Sequence, residues 1–281
     1  MIWLLPAAGC SITIAVILKV NEVRGGNRVL LAASNYIVAS GLSLLMLGSS
    51  IPKPDSVTIV IGAVTGVNFV LGFLLLMAGI ARGPLAIPVT VMRLSVALPI
   101  AVSIFLWREQ PGPAQWVGII IGGLAIGLFG WSLSDRSSER ETHRSYWFFI
   151  VALFLVMGIS DLLLKAFREL AADGQRLLFT WILFSVAAVF SWIVVWTRRI
   201  PFERGTFLLG LLLGAPNLFS TVFMLMALRD VPASIAFPFV NLTVILGSTL
   251  LGFIVWRERL GRWSIAGLVL AAIALVLLPL Q

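Results

Sequence analysis

The chain alternates between long apolar runs and short polar connections. Ten apolar runs of 18 to 25 residues can be traced along it. Each is long enough, as a helix, to cross a hydrocarbon core of roughly 30 Å, where every backbone polar group must be satisfied within the segment. The pattern therefore predicts an all-α integral membrane protein with ten transmembrane helices. The predicted spans are 2–20, 29–50, 56–80, 84–106, 114–132, 146–166, 177–197, 206–228, 232–256 and 263–280.

A repeated triplet indicates internal symmetry. Trp-Arg-Glu occurs at Trp107–Glu109 and again at Trp256–Glu258, 149 residues further on, and both copies close an apolar run. That spacing holds five spans, which is an odd number. The second copy therefore enters the membrane from the opposite side, as in transporters built from inverted repeats.

Further matches keep nearly the same offset and order. Asn68 aligns with Asn217, and Gly118 aligns with Gly267. Other matches are Met77-Ala78 with Met226-Ala227, Gly62 and Gly66 with Gly210 and Gly214, and Leu18-Lys19 with Leu164-Lys165. The chain is thus predicted to contain a first five-helix repeat (1–132), a polar linker (133–145) and a second five-helix repeat (146–281).

Composition agrees with this reading and excludes several functions. Apolar residues make up 60% of the chain and charged residues 11%, against about 25% charged in soluble domains. The net charge of +8 arises from basic residues at helix ends, so we expect lipid contact and no nucleic-acid partner. A single cysteine, Cys10, and a single histidine, His143, provide no metal cluster or nucleophilic triad, and no phosphate-binding loop occurs. We therefore predict no enzyme activity, no metal and no cofactor.

The distribution of Lys and Arg bears on orientation. Connections 1–2, 3–4, 5–6, 7–8 and 9–10 and the adjoining helix ends carry 13 of the 20 basic residues, and the opposite side carries six. Because basic loops tend to face the cytoplasm, this count places both termini outside.

The run Met226–Ala236, the two helix-terminal glutamates and the Gly-rich helix that follows Glu109 resemble the EamA-type branch of the drug/metabolite transporter superfamily. Pro99 also fits the pattern of that family, whereas Ser248 stands at the matching place in the second half. The resemblance covers nearly the whole chain. It implies two inverted five-helix repeats and a central cavity that opens alternately to each side, with both termini commonly in the cytoplasm.

Two ionisable residues lie well inside predicted spans. A central arginine costs about 2.5–3.5 kcal/mol on insertion scales, so Arg93 requires a reason: either a substrate carboxylate or phosphate, or a structural partner. Asp161 is the coupling candidate, as a proton or cation site. Alternatively it pairs with Lys165 four residues later, or with Arg93, in which case both groups are charged. Lys19 and Lys165 are interpreted as interfacial anchors.

Uncharged polar and aromatic side chains complete the candidate substrate site. Asn68, Asn217 and Asn241 are expected to face inward, either to bind substrate or to join helices, as is Asn35. Trp181 either stacks against substrate or fills space. Prolines mark helices that can bend, at positions 84, 88, 99, 232 and 238.

The leading hypothesis is a secondary active transporter that moves a small polar metabolite, an amino acid or organic anion, by alternating access, with export favoured. Its partners are the lipid bilayer and a small-molecule substrate, and it acts as a monomer or weak homodimer in a bacterial-type inner membrane. One alternative is a proton-coupled multidrug exporter of lipophilic cations. The other is a non-transporting membrane scaffold or lipid-modifying enzyme.

Overall fold

The computed structural model describes residues 1–48, 52–82, 86–134, 144–257 and 261–280. Within these ranges the chain forms eleven α-helices and no strand. The helices are α1 (Leu4–Val23), α2 (Arg28–Leu47), α3 (Ser56–Arg82), α4 (Ala86–Leu94), α5 (Ala97–Phe105), α6 (Pro113–Ser134), α7 (Arg144–Leu170), α8 (Arg176–Thr197), α9 (Arg204–Asp230), α10 (Ala233–Val255) and α11 (Arg262–Leu277).

The predicted all-α membrane fold is confirmed. Among the described residues, nine segments are long and apolar enough to cross a membrane, one of which joins α4 and α5. The last predicted span corresponds to α11, which is shorter, at 16 residues. The interpretation of Lys165 needs correction, because α7 continues to Leu170 and Lys165 is only 5% exposed inside it. Its Nζ lies 2.7 Å from Glu169 Oε1, so this lysine belongs to a partly buried ion pair.

The chain divides into two compact units. Unit 1 comprises Met1, Leu71–Leu162 and Asp230–Gln281, and unit 2 comprises Ile2–Val70 and Leu163–Arg229. Each unit contains segments of both predicted sequence repeats. The boundaries of the compact units therefore differ from the boundaries of the repeats. The division into 1–132 and 146–281 stays a prediction.

In unit 2, the repeat-related helices α2 and α8 pack side by side. Glycines allow neighbouring helices to come close: a side chain at Gly66 of α3 would collide with the backbone oxygen of Leu183 in α8. At Gly214 of α9 it would meet Asn35 O in α2 at 2.8 Å. Gly66 and Gly214 are partners in the sequence repeat, and so are α8 and α2. These close approaches therefore repeat the same packing in both halves of the chain.

The acids that precede α3 and α9 show the same correspondence. Asp55 Oδ2 accepts a hydrogen bond from Ala172 N at 2.9 Å, and Glu203 Oε2 accepts one from Asn27 N at 3.2 Å. Backbone N–H groups of Ala172 and Thr58 hold the pKa of the Asp55 carboxyl below its ordinary value. These bonds join connection 2–3 to connection 6–7, and connection 7–8 to connection 1–2. Each pair of joined connections comes from opposite halves of the chain.

In unit 1, α6 packs along α11, its partner in the repeat, and α10 packs against α5, α6 and α11. The arginines of the two Trp-Arg-Glu triplets share a left-handed backbone, with φ of 53° at Arg108 and 52° at Arg257. Glu109 accepts hydrogen bonds from Ala233 N and Ser234 N, both at 2.9 Å, and so caps α10. Glu109 thereby connects the first triplet to the start of another helix in unit 1. Glu258 lies outside the described residues, as does His143.

Candidate functional site

The fourth predicted span is interrupted within unit 1. Helix α4 ends at Leu94, residues 95–96 form a turn, and α5 begins at Ala97. Pro99 explains the interruption, because it has no N–H to donate to Ser95 O. That oxygen accepts a bond from Leu98 N at 3.0 Å instead. Helix α10, with Ser248 at the matching place, continues without a break to Val255.

Arg93 lies one residue before the end of α4, beside this interruption, and is half-buried. Its Nη1 donates a hydrogen bond of 3.1 Å to Oδ1 of Asn241 in α10. Arg93 also interacts electrostatically with Asp161 of α7, another half-buried residue. Among the described residues no carboxylate oxygen lies within 4.0 Å of Arg93, so its charge is balanced at a distance and not by a contact ion pair.

Helix α7 reaches the interruption through a glycine that sequence reasoning missed. A side chain at Gly158 would lie 2.9 Å from Ser95 O and 2.7 Å from the Cβ of Leu98. Asp161 follows Gly158 by three residues and therefore projects from the same side of α7. In the sequence, this close approach is signalled by a glycine one turn before the acid inside the span. The structure thus places Arg93, Asn241 and Asp161 around one helix break, and we call these three residues the Arg93 cluster.

The other predicted site residues belong to unit 2. Asn217 Nδ2 donates a hydrogen bond of 3.1 Å to Oδ1 of Asn35, which is 4% exposed. This bond joins α9 to α2, which gives both amides a structural partner. Asn68 in α3 and Trp181 in α8 are half-buried.

Prolines differ in their effects. Pro88 lies in the first turn of α4, and Pro232 immediately precedes α10. Pro238 lies within α10 and Pro216 within α9, and both helices continue through them. Pro84 is outside the described residues. Among the prolines that the structure describes, Pro99 is therefore the one that interrupts a helix.

Apolar helices of membrane-spanning length, with a half-buried arginine beside a broken helix, define a multi-pass membrane protein with polar residues between its helices. The profile of the EamA-like transporter family matches residues 144–279. This match covers the second half of the chain, and the family lies within the drug/metabolite transporter superfamily, whose members are transporters.

Two further likenesses extend over almost the entire chain. An uncharacterised protein of Haemophilus influenzae is 24% identical over 286 residues, covering 95% of this chain and 93% of that protein. A solved crystal structure matches with a TM-score of 0.78 at 14% identity, covering 97% of this chain and 95% of that one. The second likeness shows that the same fold occurs in a protein of very different sequence.

Proposed function

We propose that this protein is a secondary active transporter that exports a small polar metabolite, an amino acid or an organic anion, across a bacterial-type inner membrane by alternating access. The observation that carries the proposal is the bond from Arg93 to Asn241 beside the break between α4 and α5. A guanidinium has five N–H donors. Only one of them is used in a contact among the described residues, so the others are available for the carboxylate or phosphate of a substrate.

The sequence positions of this pair support a substrate site. Arg93 and Asn241 lie 148 residues apart, close to the 149-residue offset of the repeat. Residues that contact their own repeat partners lie near the pseudo-two-fold axis that relates the repeats. Substrate and coupling-ion sites of inverted-repeat transporters lie at the repeat interface, where broken helices expose backbone polar groups. The Arg93 cluster meets both conditions.

Asp161 has the role of coupling residue in this proposal. It balances the charge of Arg93 when no substrate is bound, and an anionic substrate on Arg93 would compete with it. A proton or cation that joins Asp161 would then compensate for the charge brought in by the substrate. Within unit 2, Asn68, Asn217 and Trp181 stay candidate substrate-binding residues.

The multidrug alternative requires an acid free to exchange a proton for a lipophilic cation. Asp161 is the only acid well inside a predicted span, and the positive charge of Arg93 beside it opposes cation binding. The match of residues 144–279 to a family of transporters also disfavours a scaffold or a lipid-modifying enzyme.

Thermal stabilisation of the purified protein tests the proposal. Amino acids, organic anions and lipophilic cations are screened against the wild type, Arg93→Gln, Asp161→Asn and the control Arg82→Gln, whose arginine is exposed at the end of α3. An anion or amino acid should stabilise the wild type and the control, with affinity about 10- to 100-fold weaker in Arg93→Gln, because a charged hydrogen bond is lost. Stabilisation by cations that is lost in Asp161→Asn and persists in Arg93→Gln would overturn the proposal.

A transport measurement completes the test. Proteoliposomes loaded with the stabilising compound should exchange it with labelled compound outside, and Arg93→Gln should exchange it more slowly. If the compound stabilises the protein but is never exchanged, the protein binds it without transporting it.

A further inference from the structure

Three side-chain oxygens of unit 2 lie together around the connection between α1 and α2. Asn21 is in the last turn of α1, and its Oδ1 lies 2.2 Å from the position that a Cβ on Gly26 would take. The Oγ1 of Thr206 in α9 lies 2.5 Å from the same position. Thr206 Oγ1 donates a hydrogen bond of 2.8 Å to Glu203 Oε2, which adds a carboxylate. We call Asn21, Glu203 and Thr206 the Asn21 cluster.

The amide of Asn21 presents an unused acceptor to this cluster. Its Nδ2 donates a hydrogen bond of 3.0 Å to Gly26 O, but its Oδ1 is buried and accepts no hydrogen bond from the described residues. Asn21 as a whole is only 1% exposed. A buried acceptor without a partner is destabilising, so this oxygen is suited to a ligand that needs an acceptor.

The carboxylate of Glu203 has no positive group in contact. In the described part of the chain, no basic nitrogen lies within 4.0 Å of it. Its Oε2 accepts hydrogen bonds from two neutral donors, Asn27 N at 3.2 Å and the hydroxyl of Thr206. Glu203 is half-buried, so solvent screens its charge only in part. The cluster therefore combines one negative charge with two neutral oxygens.

Basic residues occur near this connection but are turned elsewhere. Arg28 donates a hydrogen bond of 2.8 Å to Glu22, and Arg24 and Arg204 are exposed, where water and salt screen their charges. Asn21 lies at the C-terminal end of α1, where the helix dipole favours a positive charge. The surroundings of the cluster are thus compatible with a bound cation.

The repeat provides an internal comparison. Asp55 immediately precedes α3 as Glu203 precedes α9, and a threonine follows each acid by three residues. Both oxygens of Asp55 accept backbone N–H groups, Oδ1 from Thr58 and Oδ2 from Ala172. Glu203 instead receives both of its hydrogen bonds on Oε2. Among the described residues, its Oε1 therefore remains available to a ligand.

We propose that the Asn21 cluster binds an alkali-metal cation, Na⁺ or K⁺, through Asn21 Oδ1, Thr206 Oγ1 and the carboxylate of Glu203. Carboxylate and carbonyl oxygens are the ligands that hard cations prefer. The Thr206 hydroxyl can bind a cation through its oxygen while it donates its proton to Glu203. One carboxylate matches a single positive charge, whereas Ca²⁺ takes about six to eight oxygens, often from several carboxylates.

Such an ion would join the connection between α1 and α2 to the start of α9. Those segments already share the hydrogen bond from Asn27 N to Glu203, and the ion would add ligands from both sides of it. The site lies in unit 2, whereas the Arg93 cluster lies in unit 1, and the proposal does not depend on the proposed transport function.

Chlorides of sodium, potassium and choline, compared at equal ionic strength, test the proposal on the purified full-length protein in neutral detergent. Two quantities are measured, the melting temperature and the rate of hydrogen–deuterium exchange along the chain. The variants are Glu203→Gln and Thr206→Val. Their matched controls are Glu22→Gln, which neutralises an exposed acid near the end of α1, and Thr13→Val, which removes an exposed hydroxyl of α1.

A saturating concentration of Na⁺ or K⁺ should raise the melting temperature of the wild type by roughly 2–4 °C over choline. The same ion should slow exchange at residues 21–27 and 203–206, and the larger response identifies the preferred ion. The two control variants should respond like the wild type, and so should Arg93→Gln, which separates this site from the proposed substrate site. Glu203→Gln and Thr206→Val should lose at least half of the response.

Equal melting temperatures and equal exchange of the wild type in all three salts would overturn the proposal. A cation response that Glu203→Gln and Thr206→Val retain in full would also overturn it, because the ion would then be bound elsewhere. If either variant fails to fold, exchange in the wild type decides. Slowing at residues 21–27 and 203–206 supports the site, and slowing confined to other segments contradicts it.

Discussion

Glu109 shows how one side chain can hold a distant helix in place. Its two carboxylate oxygens accept the backbone N–H groups of Ala233 and Ser234 at the start of α10, where the helix dipole also favours a negative charge. Helix α10 carries Asn241, the partner of Arg93. The cap thus helps to fix the helix on which the Arg93 cluster is built.

Glu109→Gln should lower the melting temperature, because the substitution removes the negative charge and presents an amide donor to one of the N–H groups. The loss of a helix cap costs about 1 kcal/mol, equivalent to roughly 2–4 °C. Glu22→Gln is the matched control: it breaks the exposed ion pair with Arg28 and should cost less than half as much. Equal melting temperatures for Glu109→Gln and the wild type would show that the cap contributes nothing to stability.

At the scale of helices, the interruption beside Arg93 distinguishes the two repeats. Pro99 separates α4 from α5, whereas Ser248 keeps α10 continuous and donates its hydroxyl to Val244 O at 2.6 Å. Two short helices joined by a turn can rotate about that turn, and a continuous helix cannot. Movement about the Arg93 cluster is therefore expected to occur mainly through α4 and α5.

Pro99→Ser should join α4 and α5 into one helix, because residue 99 regains an N–H for Ser95 O. We expect a higher melting temperature, slower hydrogen–deuterium exchange at residues 95–99, and exchange of the substrate in proteoliposomes slowed by about tenfold or more. Ser248→Ala serves as the control, since it leaves α10 continuous and the break between α4 and α5 unchanged. Substrate exchange at the wild-type rate in a Pro99→Ser protein with slowed hydrogen exchange would show that the break is not required for transport.

Helices and contacts differ in how far the sequence predicts them. The spans follow from apolar length, and the repeat-related glycines, such as Gly66 and Gly214, follow from the constant offset. Polar partners could not be predicted in this way. Asn217 pairs with Asn35 across 182 residues, and Glu109 caps Ala233 across 124 residues. An amide or carboxylate in a span signals that it needs a partner, but its position along the chain does not indicate which neighbouring helix provides one.

At the scale of the whole molecule, the repeat is visible inside each compact unit. In unit 2 α2 packs on α8, and Ser40 and Ser185 share a hydrogen bond of 2.7 Å. In unit 1 α6 packs on α11, and Arg93 bonds to Asn241. Each of these contacts joins an element to its own counterpart, which is what a pseudo-two-fold axis through the unit produces. The inverted arrangement predicted from the repeated triplet accounts for these two helix pairs and two hydrogen bonds.

The orientation of the chain in the membrane is predicted from charge. Met1, Gln110, Asp230 and Pro279 line one cavity of about 420 Å³ in unit 1, which places residues near both termini on the side of connections 4–5 and 8–9. The opposite side carries 13 basic residues against six, so we predict that it faces the cytoplasm and that both termini lie outside. In a bacterial host, alkaline phosphatase fused after residue 280 should be active and green fluorescent protein at the same place dark, with the reverse result for fusions after Arg199. Fluorescence at the C-terminus together with phosphatase activity after Arg199 would mean that the basic loops face outward.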